Sequence, residues 1–525
     1  MVKLRGVKYL TVGQVSAKRL ALMLSGWAAG DGPLHKKLAG AMRHAIERGD
    51  LTPVTRVSSE RSLAQALAVS RTTVVAAYDV LRNEGLLTSR QGSGTWVSVS
   101  RSRRRELTSA AAMFPWVHRI RPDHEVVGLP SGFIDLTAVA LSAAAPVLNG
   151  LHSITNHDWL ALTSVQGYFP LGLSLMREAV AQDFERRGIP TAEDQIIVTT
   201  GAQQGLDLIA STLLQPGDAV VVEDPTYAGA LPVLRKAGAR LLSAPMDNQG
   251  VRVDILERLV ARESVKLIYL NPTNHNPTGT SLSEARRWRV DSLAKCNDIT
   301  VVESTVQADL SLSGAPTRYL ATGRPHDEVL TIGSMSALFW NGLRIGWVRG
   351  PTQAIFQLGK LKGTVDLGTP LVDQLLAARL LPLIDEVSRW RRKQLRERLD
   401  LVTSMLRALL PEWKWETPSG GTSLWVQLPC EGAGEFCQVA LRHGVMILPG
   451  SSFSAGGAYD DHLRIPFVIE PPALRAGIER LAAAWSEYSA RHIPSSVSTS
   501  AISNNGHRKK AGPGRTRTSA NQSAS

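Results

Sequence analysis

The stretch Gln195-Ile-Ile-Val-Thr-Thr-Gly-Ala-Gln-Gln-Gly-Leu-Asp-Leu-Ile209 decides the fold class. Its first half is short, β-branched and nearly all apolar, as a strand buried on both faces is. A glycine ends it, and the residues that follow open a helix. Four similar runs recur downstream: Ala219-Val-Val-Val222, Val265-Lys-Leu-Ile-Tyr-Leu270, Ile299-Thr-Val-Val302 and Val329-Leu-Thr-Ile332. Helical patterns separate them. Strands alternating with helices predict an α/β body, a parallel sheet covered by helices, over residues 131–490.

Polar clusters stand at the ends of these strands. Thr200-Gly-Ala-Gln-Gln204 leads from strand to helix, a geometry that offers free backbone N–H groups to a phosphate. Asn271-Pro-Thr-Asn-His-Asn-Pro-Thr-Gly279 follows another strand, and its Asn276 side chain can donate to a phenolate oxygen. Gly333-Ser-Met-Ser336 leads to Gly342-Leu-Arg-Ile-Gly-Trp347, and two hydroxyls with Arg344 suit a phosphate dianion. Each cluster alone also suits an ordinary structural loop.

Upstream lies a different kind of segment. Residues 33–49 read as a helix, with Leu34, Leu38, Met42 and Ile46 at steps of four. Ser58 or Ser59 caps a second helix, 59–67, and a tight turn at Ala68-Val69 follows. Ser70 then caps a helix that begins Arg71-Thr72-Thr73. That is helix–turn–helix spacing. An Arg and small hydroxyls at a helix start can reach base edges and phosphates together. After Gly85, residues 86–97 read as two short strands joined by Gln91-Gly-Ser-Gly94, a hairpin able to enter a minor groove.

The run SERSLAQALAVSRTTVVAAYDVLRNEGLLTSRQGSGTWV, residues 59–97, resembles the winged helix–turn–helix of GntR-type transcription regulators along its whole length. The resemblance implies double-stranded DNA as a partner, contacted by Arg61, Arg71, Thr72, Thr73 and Gly92, with Gln91 and Ser93 at the wing tip. Val54 and Ser58 stand where such proteins usually have Gly and Pro. The three strand-end clusters, with YFPLGLSLMREAV and PGDAVVVEDPTYAGAL, resemble fold-type-I aminotransferases over roughly 130–490. A winged helix ahead of such a body is the architecture of the MocR subfamily. It implies pyridoxal 5′-phosphate bound covalently to a lysine, sensing of that cofactor or of an amino compound, and a homodimer.

Several positions depart from the family pattern. The family's Ser-x-Ser-Lys is here Ser334-Met-Ser336-Ala337, and an alanine has no amine with which to hold the cofactor. The nearest downstream lysines, Lys360 and Lys362, fall in another element. In Thr300-Val-Val-Glu-Ser-Thr-Val-Gln307, Ser304 takes the position of the Asp that pairs with the pyridine nitrogen. Glu303 is one residue early, so the period of two points it to the opposite face. Val306 or Gln307 takes the position of the phenolate-holding Tyr. The anion set is better kept, with Ala202, Gln203, Asn276, Ser334, Ser336 and Arg344. Tyr227 suits stacking on a planar ring. Arg464 falls where the family binds a carboxylate, with a surface or interdomain salt bridge as the alternative. The expectation is a regulator with a non-catalytic body, taking a small phosphorylated or amino-acid-like effector, any pyridoxal phosphate being held noncovalently. A working aminotransferase with an accessory DNA-binding head, and a structural DNA-binding dimer without effector, are the rivals.

Charge and composition agree with this division. The 525 residues carry a formal net charge of +13. Residues 1–106 hold 18 Lys/Arg against 7 Asp/Glu, and 491–525 hold six Lys/Arg and no acid, leaving the middle slightly acidic. A basic head and tail around a near-neutral body fit a polyanionic partner at one end. Hydrophobic residues at 43% and a mean hydropathy of −0.05 exclude a mostly disordered or collagen-like chain. Cys296, Cys430 and Cys437 make no CxxC pair and no disulfide framework, which fits a cytoplasmic protein. No metal site, signal peptide or membrane-spanning run is evident. The expected domains are a helical extension (1–32), the winged helix–turn–helix (33–98), a linker (99–130), the aminotransferase-like body (131–490) and a disordered basic tail (491–525).

Overall fold

The computed structural model describes residues 15–24, 26–28, 32–47, 50–51, 55–90, 94–98, 133–137, 141–314, 317–322 and 329–492. The linker, Gln91, Gly92 and Ser93 of the wing tip, Val54 and the tail from 493 lie outside them. The head contains α1 (Ala17–Met23), α2 (Leu34–Glu47), β1 (Arg56–Val57), α3 (Glu60–Ala66), α4 (Arg71–Asn83), β2 (Leu87–Arg90) and β3 (Gly94–Val97). Ser59 Oγ accepts from Ser62 N at 3.1 Å and Ser70 Oγ accepts from Thr73 N at 3.1 Å, so both helix–turn–helix caps act as the sequence predicts. The wing hairpin gains a third strand that the sequence reading missed, in the order β1-β3-β2. Leu38, Met42, Leu63, Leu67, Val74 and Leu81 are fully buried and form the head's core.

The body begins with β4 (Ile134–Asp135), α5 (Ala145–His152), α6 (Asn156–Thr163) and α7 (Ser174–Arg186). Then come β5 (Ile196–Thr199), α8 (Ala202–Leu213), β6 (Ala219–Asp224), α9 (Ala230–Lys236), β7 (Arg240–Asp247), β8 (Gly250–Val251) and α10 (Val253–Arg262). β9 (Val265–Leu270), α11 (Glu284–Cys296), β10 (Thr300–Ser304), β11 (Val329–Ser334), β12 (Gly346–Arg349), α12 (Thr352–Val365), α13 (Leu371–Leu380) and α14 (Ile384–Leu409) follow. The last part holds β13 (Lys414–Trp415), β14 (Ser423–Gln427), α15 (Ala433–Arg442), β15 (Val445–Met446), β16 (Leu448–Pro449), β17 (His462–Pro466) and α16 (Pro471–His492). No helix among the described residues is long and apolar enough to cross a membrane.

The large sheet has the strand order β5-β12-β11-β10-β9-β6-β7-β8. β7, β6, β9, β10 and β11 run parallel, which accounts for their apolar sequences. The sheet is nevertheless mixed, not purely parallel as the sequence suggested. β12 is antiparallel to both β11 and β5, because the chain turns back through the loop 335–345 without a crossover helix. A second sheet, β13-β14-β17-β16, and the parallel pair β15-β4 complete the body. The pair β15-β4 matters for the site, since it joins the residues just after the linker to a segment some 310 positions later.

Head and body touch. Leu441 of α15 and Met446 of β15 are members of the head's own core, and Phe133 packs against it. The Trp27 indole donates to Gln438 Oε1 at 3.0 Å, buried, and Arg442 donates to the Leu67 carbonyl at 3.3 Å.

Candidate functional site

The reading face of the head stays open in this arrangement. Arg61, Arg71 and Thr72 are exposed and Thr73 is half-buried. Ser70 Oγ lies 2.7 Å from Thr72 Oγ1 and 2.8 Å from Thr73 Oγ1, which fixes both hydroxyls at the start of α4. Arg71 reaches back to Glu60 at 3.5 Å with 69% of its side chain exposed, a loose pair that a phosphate or base can displace.

In the body, a cavity of about 680 Å³ opens at the C-terminal ends of β6, β9, β10 and β11. This is where open α/β sheets place their ligands. Ala202, Gln203, Tyr227, Asn276, Ser304, Ser334, Ser336, Ala337, Arg344 and Arg464, the whole set singled out in the sequence of the body, line this one cavity.

One end is built for an anion. Gly201 caps α8 at φ 104°, and a Cβ there would stand 2.9 Å from Arg344 Nη2. Only glycine lets the guanidinium lie against the helix start. Arg344 itself is left-handed, at φ 50°, and donates to the Thr200 carbonyl at 2.9 Å. Ser334 Oγ accepts from Ser336 N at 3.2 Å and donates to Ser336 Oγ at 3.0 Å. The unpaired N–H groups of the first turn of α8, two hydroxyls and one guanidinium converge there. The Gln203 side chain is turned toward the neighbouring loop. Its amide donates to the Gly229 carbonyl at 2.8 Å and its oxygen accepts from the Tyr227 hydroxyl at 3.2 Å, so it orients the Tyr227 ring.

The middle of the cavity is neutral. Ser304 ends β10 there, while Glu303 points to the other face, accepting from Leu320 N at 2.7 Å and from the Thr331 hydroxyl at 3.3 Å. Burial raises the Glu303 carboxyl to about 7. Ala337 forms part of the wall and is 8% exposed. No lysine lines the cavity among the described residues. Lys362 is fully buried on α12, bonded to Gln204 Oε1 and Asp366. Val306 and Gln307 both reach the lining, and the Gln307 amide donates to Thr422 Oγ1 at 2.8 Å. Asn276 Oδ1 is buried without a hydrogen-bond partner.

The far end is cationic again. Arg464 is 4% exposed, its Nη2 donates to the Thr137 carbonyl, and its Nε is buried without a partner. It stacks over Phe453 with 4.9 Å to the ring centroid. Burial lowers its pKa to about 10, against the pull of Tyr227 and Asp135. It is therefore no surface residue, and no ion pair holds it at salt-bridge distance among the described residues.

Residues 151–481 match the family described as Aminotransferase class I and II, and residues 34–97 match the bacterial regulatory proteins of the gntR family. The HTH-type transcriptional regulator YisV of Bacillus subtilis is 30% identical over 444 residues, covering 80% of this chain and 89% of that protein. The probable rhizopine catabolism regulatory protein MocR of Rhizobium meliloti is 29% identical over 337 residues, 62% of this chain and 66% of that protein. Among solved structures, the kynurenine aminotransferase of Pyrococcus horikoshii has a TM-score of 0.63 at 30% identity, over 68% of this chain and 92% of that chain.

The chain belongs to the MocR-type GntR regulators. Its aminotransferase fold family is pyridoxal-phosphate-dependent. In this MocR-type chain the anion end fits the phosphate of that group, and the buried, unpartnered Asn276 Oδ1 leaves a polar contact open. Among the described lining residues there is no lysine amine to which that group could be attached.

Sequence reasoning missed part of this MocR-type cavity. Asp135, Thr137, Tyr269, Asn341 and Leu448 also line it. Asp135 and Thr137 come from the edge of the expected linker, where no periodicity marks them. Only the β4–β15 pairing carries them to the site.

Proposed function

We propose that the aminotransferase-like body of this transcription regulator is a non-catalytic sensor of a small anionic ligand, and that the sensor controls DNA binding by the head. The observation that carries this reading is Ala337, a methyl group in the wall of a cavity whose lining, among the described residues, holds no lysine. When bound, pyridoxal phosphate supplies an aldehyde that condenses with amines, and the catalytic use of that chemistry needs a protein amine. Ser304 adds a second deficit, because a neutral hydroxyl cannot keep a pyridine nitrogen protonated.

Two features support a ligand in place of catalysis. The anion end keeps a helix N-terminus, Ser334, Ser336 and Arg344 together, and the far end keeps a buried Arg464 with an unpartnered Nε. A ligand with a phosphate and an acidic or amino-acid-like group matches both ends, held noncovalently.

The regulator acts as a homodimer in the cytoplasm in this proposal. Tyr168, Phe356, Val365 and Leu367 are exposed apolar residues on neighbouring segments, with Phe169, Pro170 and Leu171 close to Gly368, Gly363 and Gly359. Light scattering that reports a monomer at micromolar concentration would remove the dimer. Thermal shift tests the sensor, since a ligand bound only to the folded state raises stability as RT ln(1 + [L]/Kd). Pyridoxamine 5′-phosphate should raise the melting temperature at concentrations where inorganic phosphate does not. No shift with any phosphorylated pyridine would refute a phosphate-ligand sensor.

A further inference from the structure

The cavity and the DNA-reading head share two short strands. β4 starts beside Phe133, which packs on the head's core, and its next residues, Asp135 and Thr137, line the cavity. β15 does the same in parallel: Met446 is a member of the head's core, and Leu448, two residues on, lines the cavity. The strands are bonded at both ends, with Ile134 N donating to the Gly444 carbonyl at 2.9 Å and Leu136 N to the Met446 carbonyl at 2.8 Å. β15 continues from α15, the helix that carries Leu441, Gln438 and Arg442 into the head.

The cavity end of this pair is tied to the buried cation. Arg464 donates to the Thr137 carbonyl, and Asp135 Oδ1 accepts from Thr137 N at 2.8 Å and from Thr137 Oγ1 at 2.6 Å. Thr137 is 3% exposed, so its carbonyl has no water to turn to if the guanidinium leaves.

We propose that the paired strands β4 and β15 are the coupling element of the regulator, and that an acidic group bound at Arg464 releases the Thr137 carbonyl and shifts the seat of the head on α15 and β15. It rests on the sensor role proposed above. A carboxylate takes a guanidinium through two parallel N–H donors. Arg464 Nε is a buried donor without a partner, and Nη2 beside it is held by the Thr137 carbonyl. Nη2 carries two N–H groups, so a carboxylate seated through Nε and Nη2 releases Thr137 by drawing the guanidinium toward itself. The segment 133–137 must then re-pair its carbonyl by moving. Phe133 and Met446 move with it, because interiors are close-packed. A ligand with a phosphate alone fills the opposite end of the cavity and leaves this bond intact.

Hydrogen–deuterium exchange on the full chain tests this with two probes. N-(5′-phosphopyridoxyl)-L-leucine carries both a phosphate and a carboxylate, and pyridoxamine 5′-phosphate carries only the phosphate. Both should raise the melting temperature. Only the leucine conjugate should change exchange at 133–137, at 441–449 and in the head at 20–28 and 63–67, by about fivefold or more, the lower range of allosteric coupling. Met446→Ala should keep the thermal shift and lose most of the response in the head. A conjugate that binds without any change in the head overturns the coupling while the sensor role stands. If neither probe binds, the sensor role fails, and Arg464→Gln without ligand decides the coupling. It should speed exchange at the same segments, and unchanged exchange overturns the proposal. Asp135→Asn, which loosens the same Thr137 turn, replaces it if Arg464→Gln does not fold.

Discussion

Lys362 Nζ lies 2.9 Å from Gln204 Oε1 and 2.7 Å from Asp366 Oδ2, with its side chain fully buried. Gln204 Oε1 also accepts from Thr200 N at 2.8 Å, at the start of the anion cradle. The buried lysine near the site is thus engaged in holding the cradle's turn. Borohydride-treated wild-type protein incubated with pyridoxal phosphate should show no pyridoxyl mass on Lys362 or any other body lysine. Ala337→Lys should produce new visible absorbance that borohydride abolishes, and efficient transamination should still require Ser304→Asp. An adduct on a wild-type body lysine would revive the enzyme reading.

The anion cradle depends on Gly201. Gly201→Ala adds a Cβ 2.9 Å from Arg344 Nη2 at a residue whose φ of 104° disfavours any side chain. The backbone strain alone should cost about 1–3 kcal/mol of stability. The guanidinium is displaced as well, so affinity for a phosphorylated ligand should fall more than the melting temperature accounts for. Unchanged ligand affinity in a folded Gly201→Ala protein would remove Arg344 and the helix start from the site.

Glu303 gives a pH signature. Burial raises its carboxyl from an ordinary 4.5 to about 7, with Leu320 N, Arg287 and Thr331 favouring the charge only partly. A folded pKa above the unfolded one means that the unfolded chain loses this proton first as pH rises. The resulting penalty is absent below about pH 4, grows between about 4.5 and 7, and is constant above. Glu303→Gln keeps the shape and the bond from Leu320 N, and its amide N–H donates to the Thr331 hydroxyl in place of accepting from it. It should be close to neutral at pH 4.5 and stabilising by on the order of 1–3 kcal/mol at pH 8, from about 1.4 kcal/mol per pKa unit. Chemical denaturation at the two pH values checks this, and an equal effect at both would show that Glu303 titrates normally.

Much of this was legible in the chain because each signal is local. The apolar runs at Ile196, Ala219, Val265, Thr300 and Val329 are β5, β6, β9, β10 and β11. Ser59 and Ser70 sit at caps, and parity alone sent Glu303 away from Ser304. Elements that depend on a distant partner were not legible. β1 is two residues long and exists by pairing with β3, and β12 is recognisable only once β5 and β11 flank it. The same holds for Asp135 and Thr137, which reach the cavity through a two-residue strand paired with β15. Gln203 was placed correctly in the cavity, but its bond to Tyr227 needs a loop 24 residues away.

The reading head gives a prediction in which folding and binding separate. Arg71 is 69% exposed and its pair with Glu60 is 3.5 Å long, so little of the head's stability depends on it. Arg71→Ala should change the melting free energy by less than about 0.5 kcal/mol. Its effect on DNA should be larger, about 1–3 kcal/mol if the guanidinium takes two base-edge acceptors. Salt titration distinguishes the modes of contact. A lost phosphate contact lowers the salt slope by about one and weakens all sequences alike. A lost base contact leaves that slope nearly unchanged and relaxes preference at one position. Fluorescence anisotropy on the full chain, with a protein lacking residues 1–106 as the negative control, reads both. Arg71→Ala binding its operator as tightly as wild type would take the start of α4 out of the groove.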